Sequence, residues 1–188
     1  MPMADGYDVP TRKANPAPLG LLGFGMTTVL LSLHNAGITP LDNVVLAMGA
    51  FCGGLAQLVA GIMEYRNGNT FGTVAFTMYG VFWMTFVAIN TGLFGMGSEG
   101  KTVGAYCLVW GIMTLFMFLG TLKGRISSKF VFLTLTVTFF LLAAGDIGGF
   151  EVLSKAAGVV GLICGSAAIY SAAAEILEEQ NGEEVLPY

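Results

Sequence analysis

The side chains able to do chemistry in this sequence are mostly uncharged hydroxyls and amides set into long apolar stretches. Thr27, Thr28 and Ser32 fall in one such stretch, Gln57 in the next, and Thr77, Tyr79, Thr85 and Asn90 in a third. Groups of this kind exchange hydrogen bonds without carrying charge, so they can replace part of the water around a carboxylate or a neutral solute. They can equally bond a carbonyl one turn back in their own helix, which is the ordinary use of an isolated threonine. Tyr79-Gly80-Val81-Phe82-Trp83 concentrates a phenol, a glycine gap and two large rings within about one helical turn. In a small bundle that cluster can narrow a path.

The supply of catalytic groups is short. There is one histidine, His34, and the three cysteines, Cys52, Cys107 and Cys164, lack C-x-x-C spacing. His34 beside Asn35 reads as a polar pair near a span end, and the cysteines as small packing residues. No paired carboxylates lie within a span, and no glycine-rich phosphate loop ends in Lys. An enzyme, a resident metal, a cofactor and a nucleic-acid partner are therefore not expected. Glu64, Asp146 and Glu175 lie at span ends. Glu64, close to Arg66, reads as an interfacial carboxylate, with a role in a proton pathway as the alternative.

These groups are carried by elements whose nature follows from where charge is missing. Of 188 residues, 55% are hydrophobic and 11% charged, and the mean hydropathy is +0.75. Soluble domains carry roughly a quarter charged residues. No Asp, Glu, Lys or Arg occurs from Ala14 to Leu41, Asn43 to Met63, Asn67 to Ser98, Thr102 to Leu122 or Ala156 to Ala174. About 20 apolar residues suffice for a helix to cross the ~30 Å hydrocarbon layer. A shorter, intensely apolar run from Phe130 to Gly145 makes a further span, extended by Ser127 and Ser128. A chain this short has no polar shell to wrap around six such helices. The expected fold is an all-α integral membrane protein, a six-transmembrane-helix bundle embedded in a lipid bilayer.

With both termini on the cytoplasmic side, that side holds Arg12, Lys13, Arg66, Lys123, Arg125 and Lys129, leaving Lys101 and Lys155 outside. Basic residues favour the cytoplasmic face, so this orientation is expected. The organisation is then a cytoplasmic segment at 1–14, a six-helix transmembrane domain at 15–175 and an acidic cytoplasmic tail at 176–188. Many of the 27 glycines lie inside spans, where small residues let helices approach closely. Gly49 with Gly53, and Gly161 with Gly165 after Ala157, have the spacing of packing faces.

One segment is specific. Asn15-Pro16-Ala17-Pro18-Leu19-Gly20-Leu21 matches the N-P-A-P-L-G-L signature of the acetate uptake transporter family, the succinate/acetate permeases of bacteria and archaea with yeast relatives. The chain resembles that family further through Gly23 to Thr28, Gly68 to Gly72, Tyr79 to Trp83, Gly120 to Lys123 and Gly161 to Gly165, in order along all six spans. Within the signature, Asn15 suits a helix N-cap and Pro16 the first helical position, where its missing N–H is no loss. The amides of Ala17 and Leu19 remain as donors at that helix start.

The resemblance implies a homohexamer in the cell membrane, inner or plasma, with one path per subunit and a hydrophobic constriction partway along it. Relatives form the constriction from a Phe in the first span, a Tyr in the third and a Leu in the fifth, which fall here on Phe24, Tyr79 and Leu135. Ala168 corresponds to a small sixth-span residue linked in relatives to substrate range. Asn15, Ala17, Leu19, Thr27, Trp83 and Ala168 are the substrate-binding candidates. The loop between the third and fourth spans is shorter than the family's and differs in sequence. The expected function is transport of acetate, and also of succinate or other small carboxylates, either proton-coupled or channel-like. Acetate is favoured because a dianion is harder to desolvate. Two alternatives fit the residues alone: a passive channel for a neutral solute such as urea, and a non-transporting membrane scaffold.

Overall fold

The computed structural model describes residues 13–188, in which all regular structure is helical. Arg12 and the rest of residues 1–12 lie outside the described residues. Six helices are long and apolar enough to cross a membrane: α1 (Ala17–Asn35), α2 (Asn43–Arg66), α3 (Thr70–Asn90), α4 (Gly100–Thr121), α5 (Ile126–Gly148) and α6 (Glu151–Asn181).

Polar side chains and glycines set the ends of these helices. The signature does begin α1, but one residue later than expected: Pro16 takes the N-cap position and accepts from the Gly20 amide, while Asn15 Oδ1, just ahead of it, accepts from the Ala17 amide at 3.0 Å. The cap of α2 is Asp42, which accepts from the amides of Val44 and Val45. Helix α3 is capped by Asn69 and stops at Asn90, although the uncharged stretch runs on to Ser98. Gly92 and Gly95 beyond it adopt φ values of 64° and 72°, which suit a reversal of the chain and not a helix. The short fifth span gains turns at both ends, starting at Ile126 and closing on Gly149 at φ 70°. Helix α6 runs to Asn181, past the end of its apolar stretch.

Helix α2 is not uniform, because Gly49–Ala56 forms a π-helical segment in its interior. Glycine makes the segment compatible with close neighbours: a Cβ on Gly53 would sit 2.5 Å from the Trp83 ring. From α1, the Thr27 hydroxyl donates to Gly23 O at 2.8 Å and also approaches Met48 O at 3.3 Å, at the entry to the widened turn. Gln57 follows the segment and is almost fully buried. Single-turn π insertions recur at functional sites because they re-aim the residues that follow.

Around the bundle the helices pack in the order α3, α2, α1, α6, α5, α4. Contact between α1 and α6 is the most extensive of these, and its centre is Gly25 facing Gly165, where a Cβ on either glycine would lie 2.8 Å from the carbonyl oxygen of the other. At the closure of the ring the backbones of α3 and α4 stand apart, and long aromatic side chains bridge them. Phe82 stacks on Tyr106 with centroids 5.8 Å apart, the Tyr106 hydroxyl donates to Phe82 O at 3.2 Å, and Tyr79 donates to Thr114 Oγ1 at 3.0 Å. Aromatic rings fill such a gap and anchor at their polar tips. The interior is a cluster of Phe24, Tyr79, Phe82, Trp110, Leu135 and Phe139 with their neighbours. Large apolar residues such as Phe51, Val109 and Phe116 face outward, as a bilayer requires.

Candidate functional site

Inside the bundle, Phe24 from α1, Tyr79 from α3 and Leu135 from α5 converge. Each is buried, at 6%, 3% and 5% exposure. The rings of Phe24 and Tyr79 lie 5.9 Å apart, and Phe132 packs against Tyr79 at 6.2 Å. Tyr79 is fixed at its tip by Thr114, which in turn donates to Trp110 O at 2.7 Å. These three residues are the walls common to two cavities, one of about 190 Å³ towards the described termini and one of about 30 Å³ beyond.

Each cavity continues outward. The larger one shares Ala17, Glu64, Asn69 and Glu175 with a wide mouth of about 560 Å³ that also includes Asn15 and Arg125. The smaller one shares Leu31, Asn35, Phe82 and Leu142 with a 330 Å³ cavity at the opposite end, where His34, Asn90 and Asp146 lie. Four cavities thus stand in series through the chain, with polar side chains at both ends and an apolar divide at Phe24, Tyr79 and Leu135. Such a profile lets a small solute keep hydrogen-bonding partners until the narrowest point, where only a short passage lacks them.

At the mouth nearest the termini one arrangement occurs twice. Asn15 accepts from the Ala17 amide at the start of α1 and donates from Nδ2 to Glu175 Oε2 at 2.8 Å. Asn69 accepts from the Gly72 amide at 3.0 Å and donates to Glu64 Oε2 at 2.9 Å. Each asparagine therefore closes a helix N-terminus while holding a glutamate from another helix at the cavity wall. Glu64 is buried, and neither it nor Glu175 has a cationic partner within salt-bridge distance among the described residues. Arg125 beside them pairs with Glu178 at 3.5 Å and lies 4.0 Å above the Tyr188 ring.

The remaining sequence candidates separate. Ala17 lines both cavities at the terminal end, and Trp83 lines the small one, with its indole N–H unpaired. Thr27 lines none of these cavities, because its hydroxyl is bonded at the α1–α2 contact. Leu19 is 40% exposed on the outside of the bundle and does not reach the path. Ala168 is fully buried in the core cluster but is not a cavity wall. His34 holds the loop after α1 through Thr39 O, with Nδ1 at 3.2 Å.

Several path residues were not among the substrate-binding candidates of the sequence. Gln57 lines the 190 Å³ cavity, Asn69 and Glu175 complete the mouth, and Thr28, not Thr27, lines the small cavity. For Gln57 a signal existed, since an amide in an otherwise apolar span is costly unless something inside the bundle uses it.

Residues 3–187 match the GPR1/FUN34/yaaH family. The chain is 55% identical over 181 residues to the succinate-acetate/proton symporter SatP of Escherichia coli K12, covering 94% of this chain and 96% of that protein. It is 36% identical over 200 residues to acetate permease A of Emericella nidulans, covering 95% and 67%. The solved structure of the bacterial acetate channel SatP superposes with a TM-score of 0.92 at 55% identity, covering 94% of this chain and 99% of that one. With a signature that begins its first helix and a fold and sequence that agree over nearly the whole length, the chain belongs to the GPR1/FUN34/yaaH family of multi-pass membrane proteins.

Proposed function

We propose that this protein transports acetate, and with it succinate or other small carboxylates, across the cell membrane through the path described above. The observation that carries the proposal is the series of cavities divided only by Phe24, Tyr79 and Leu135, in a chain 55% identical to a succinate-acetate/proton symporter. Phe24, Tyr79 and Leu135 act as the constriction. Gln57 and Trp83 offer polar contacts along the way, Asn15 holds Glu175 at the mouth that Ala17 also lines, and Thr27, Leu19 and Ala168 act through packing. A monocarboxylate is preferred, because a second charge adds a second desolvation at an apolar divide.

The family resemblance implies a homohexamer with one path per subunit, and the cavities in series within this chain fit that reading. Basic residues at the terminal end support a cytoplasmic location for both termini. Labelled acetate uptake into proteoliposomes, with and without an inward proton gradient and against protein-free vesicles, tests the proposal. Protein-dependent uptake competed by succinate is expected, and its response to the gradient separates coupled transport from passive conduction. Absence of protein-dependent uptake would refute it.

A further inference from the structure

Phe24 and Leu135 end in carbon, so the hydroxyl of Tyr79 is the only polar side-chain atom on the three residues that divide the path. The fold turns it away from both cavities. Tyr79 donates to Thr114 Oγ1 at 3.0 Å, and Thr114 is fully buried on α4 and lines none of the four cavities in the series. The direction of this bond is fixed by counting protons. A threonine hydroxyl has one to give, and that of Thr114 goes to Trp110 O at 2.7 Å, so its oxygen can only accept from Tyr79. The single phenol proton is therefore spent inside the α3–α4 seam.

Three rings hold the body of Tyr79, those of Phe24, Phe132 and Trp110, with centroids 5.9, 6.2 and 6.4 Å away. These contacts are apolar and satisfy no proton, so the tip depends on Thr114. A buried hydroxyl without a partner costs about 1–3 kcal/mol, which drives it towards any acceptor in reach. With no acceptor at position 114, that is water or a carboxylate in the 190 Å³ cavity whose wall Tyr79 forms. A donor released there would hold an anion at the narrowest point, whereas conduction requires each stop along a path to be weak enough to leave.

We propose that Thr114 is a positioning residue for transport: by taking the Tyr79 proton into the α3–α4 seam, it leaves a divide whose three side chains present only carbon, where acetate finds no place to stop. This rests on the acetate-transport reading above. Thr114 itself touches no solute and acts through Tyr79 alone. A side chain at 114 that accepts a hydrogen bond preserves the effect, and an apolar one of the same shape abolishes it.

The test measures the concentration dependence of acetate uptake by proteoliposomes carrying the wild-type chain, Thr114→Val, Thr114→Ser, Tyr79→Phe and the double variant Tyr79→Phe/Thr114→Val. In Thr114→Val the released phenol binds acetate at the divide, so the half-saturating concentration and the maximal rate are both expected to fall about tenfold, the scale of one hydrogen bond to a charged group. Thr114→Ser keeps the acceptor and is expected within about twofold of wild type. With Tyr79→Phe there is no hydroxyl to release, so adding Thr114→Val to it should change neither constant by more than about twofold. A packing role predicts the same loss with or without the hydroxyl. That result, a Thr114→Val variant kinetically like wild type, or a Thr114→Ser variant like Thr114→Val overturns the proposal.

A chemical measurement stands apart from transport. Tetranitromethane nitrates a tyrosine whose hydroxyl it can reach, and peptide mass spectrometry reads Tyr79 separately from the other tyrosines. Nitration of Tyr79 is expected in Thr114→Val and not in the wild-type chain or Thr114→Ser; Thr114→Ala, which also lacks the acceptor, gives the same reading where the valine variant does not fold. A protected Tyr79 in a folded variant without the acceptor, or a nitrated Tyr79 in the wild-type chain, overturns the positioning role. Wild-type vesicles without uptake would instead defeat the transport reading, and the labelling still decides whether Thr114 withholds the hydroxyl from the path.

Discussion

Shortening Leu135 to Ala probes the constriction most directly. Leu135 is 5% exposed and, with Phe24 and Tyr79, separates a cavity of about 190 Å³ from one of about 30 Å³. Removing the isobutyl side chain joins them. A buried Leu→Ala change costs about 2–5 kcal/mol, so thermal unfolding in detergent must first establish that the variant is folded. For a carboxylate larger than acetate, the intact constriction has to spread, as an overpacked core does, at about 1–3 kcal/mol. Relief of that term raises passage of lactate relative to acetate roughly 5- to 150-fold. Paired uptake of labelled lactate and acetate into the same proteoliposomes reads this ratio directly and cancels differences in protein incorporation. A folded Leu135→Ala variant with an unchanged ratio would show that Leu135 does not limit the path.

Three further outcomes follow from the packing. Gly165→Ala places a methyl 2.8 Å from Gly25 O and 3.0 Å from Val29 N, so α1 and α6 must part; a loss of about 1–3 kcal/mol is expected, and an unchanged melting temperature would contradict the close contact. Asn69→Ala removes both the cap at Gly72 and the amide that holds Glu64, lowering stability by about 1–2 kcal/mol from the cap alone and slowing acetate uptake. In Asn69→Ser the hydroxyl can still cap α3 but is too short to hold Glu64, so its stability should return while its uptake stays low; full recovery of both would assign Asn69 to capping only. Tyr188→Ala removes the ring under Arg125 and the hydroxyl bonded to Glu178, a contact of about 0.5–1 kcal/mol for the cation over the ring. Limited proteolysis should cut residues beyond Gly182 faster in that variant, and an unchanged cleavage rate would show that the tail is held by other contacts, such as Tyr170 on Pro187 O.

The gaps in charge along the chain were enough to place six spans, because no helix crosses hydrocarbon while exposing ionised groups. Asn15 and Pro16 marked the start of α1, and the signature they open carried the family. Helix ends were less legible where a polar residue continues a helix past the apolar run, as at Asp146 of α5, or where glycines stop one inside an uncharged run, as after Asn90. The facing of each helix could not be read at all. In water an amphipathic stripe reveals the buried side, but here lipid and protein interior are equally apolar, so Leu19 and Leu135 look alike in sequence though one faces outward and the other divides two cavities. The same ambiguity covers Thr27 and Thr28, adjacent hydroxyls of which one bonds its own helix at the α2 contact and the other is left without a partner. Sequence determined what could enter the membrane and which family the chain resembles. Only the packing of α1 against α2 and α6, the π segment before Gln57 and the aromatic bridge between α3 and α4 decided which side chains meet inside, since that choice depends on contacts between residues far apart in the chain.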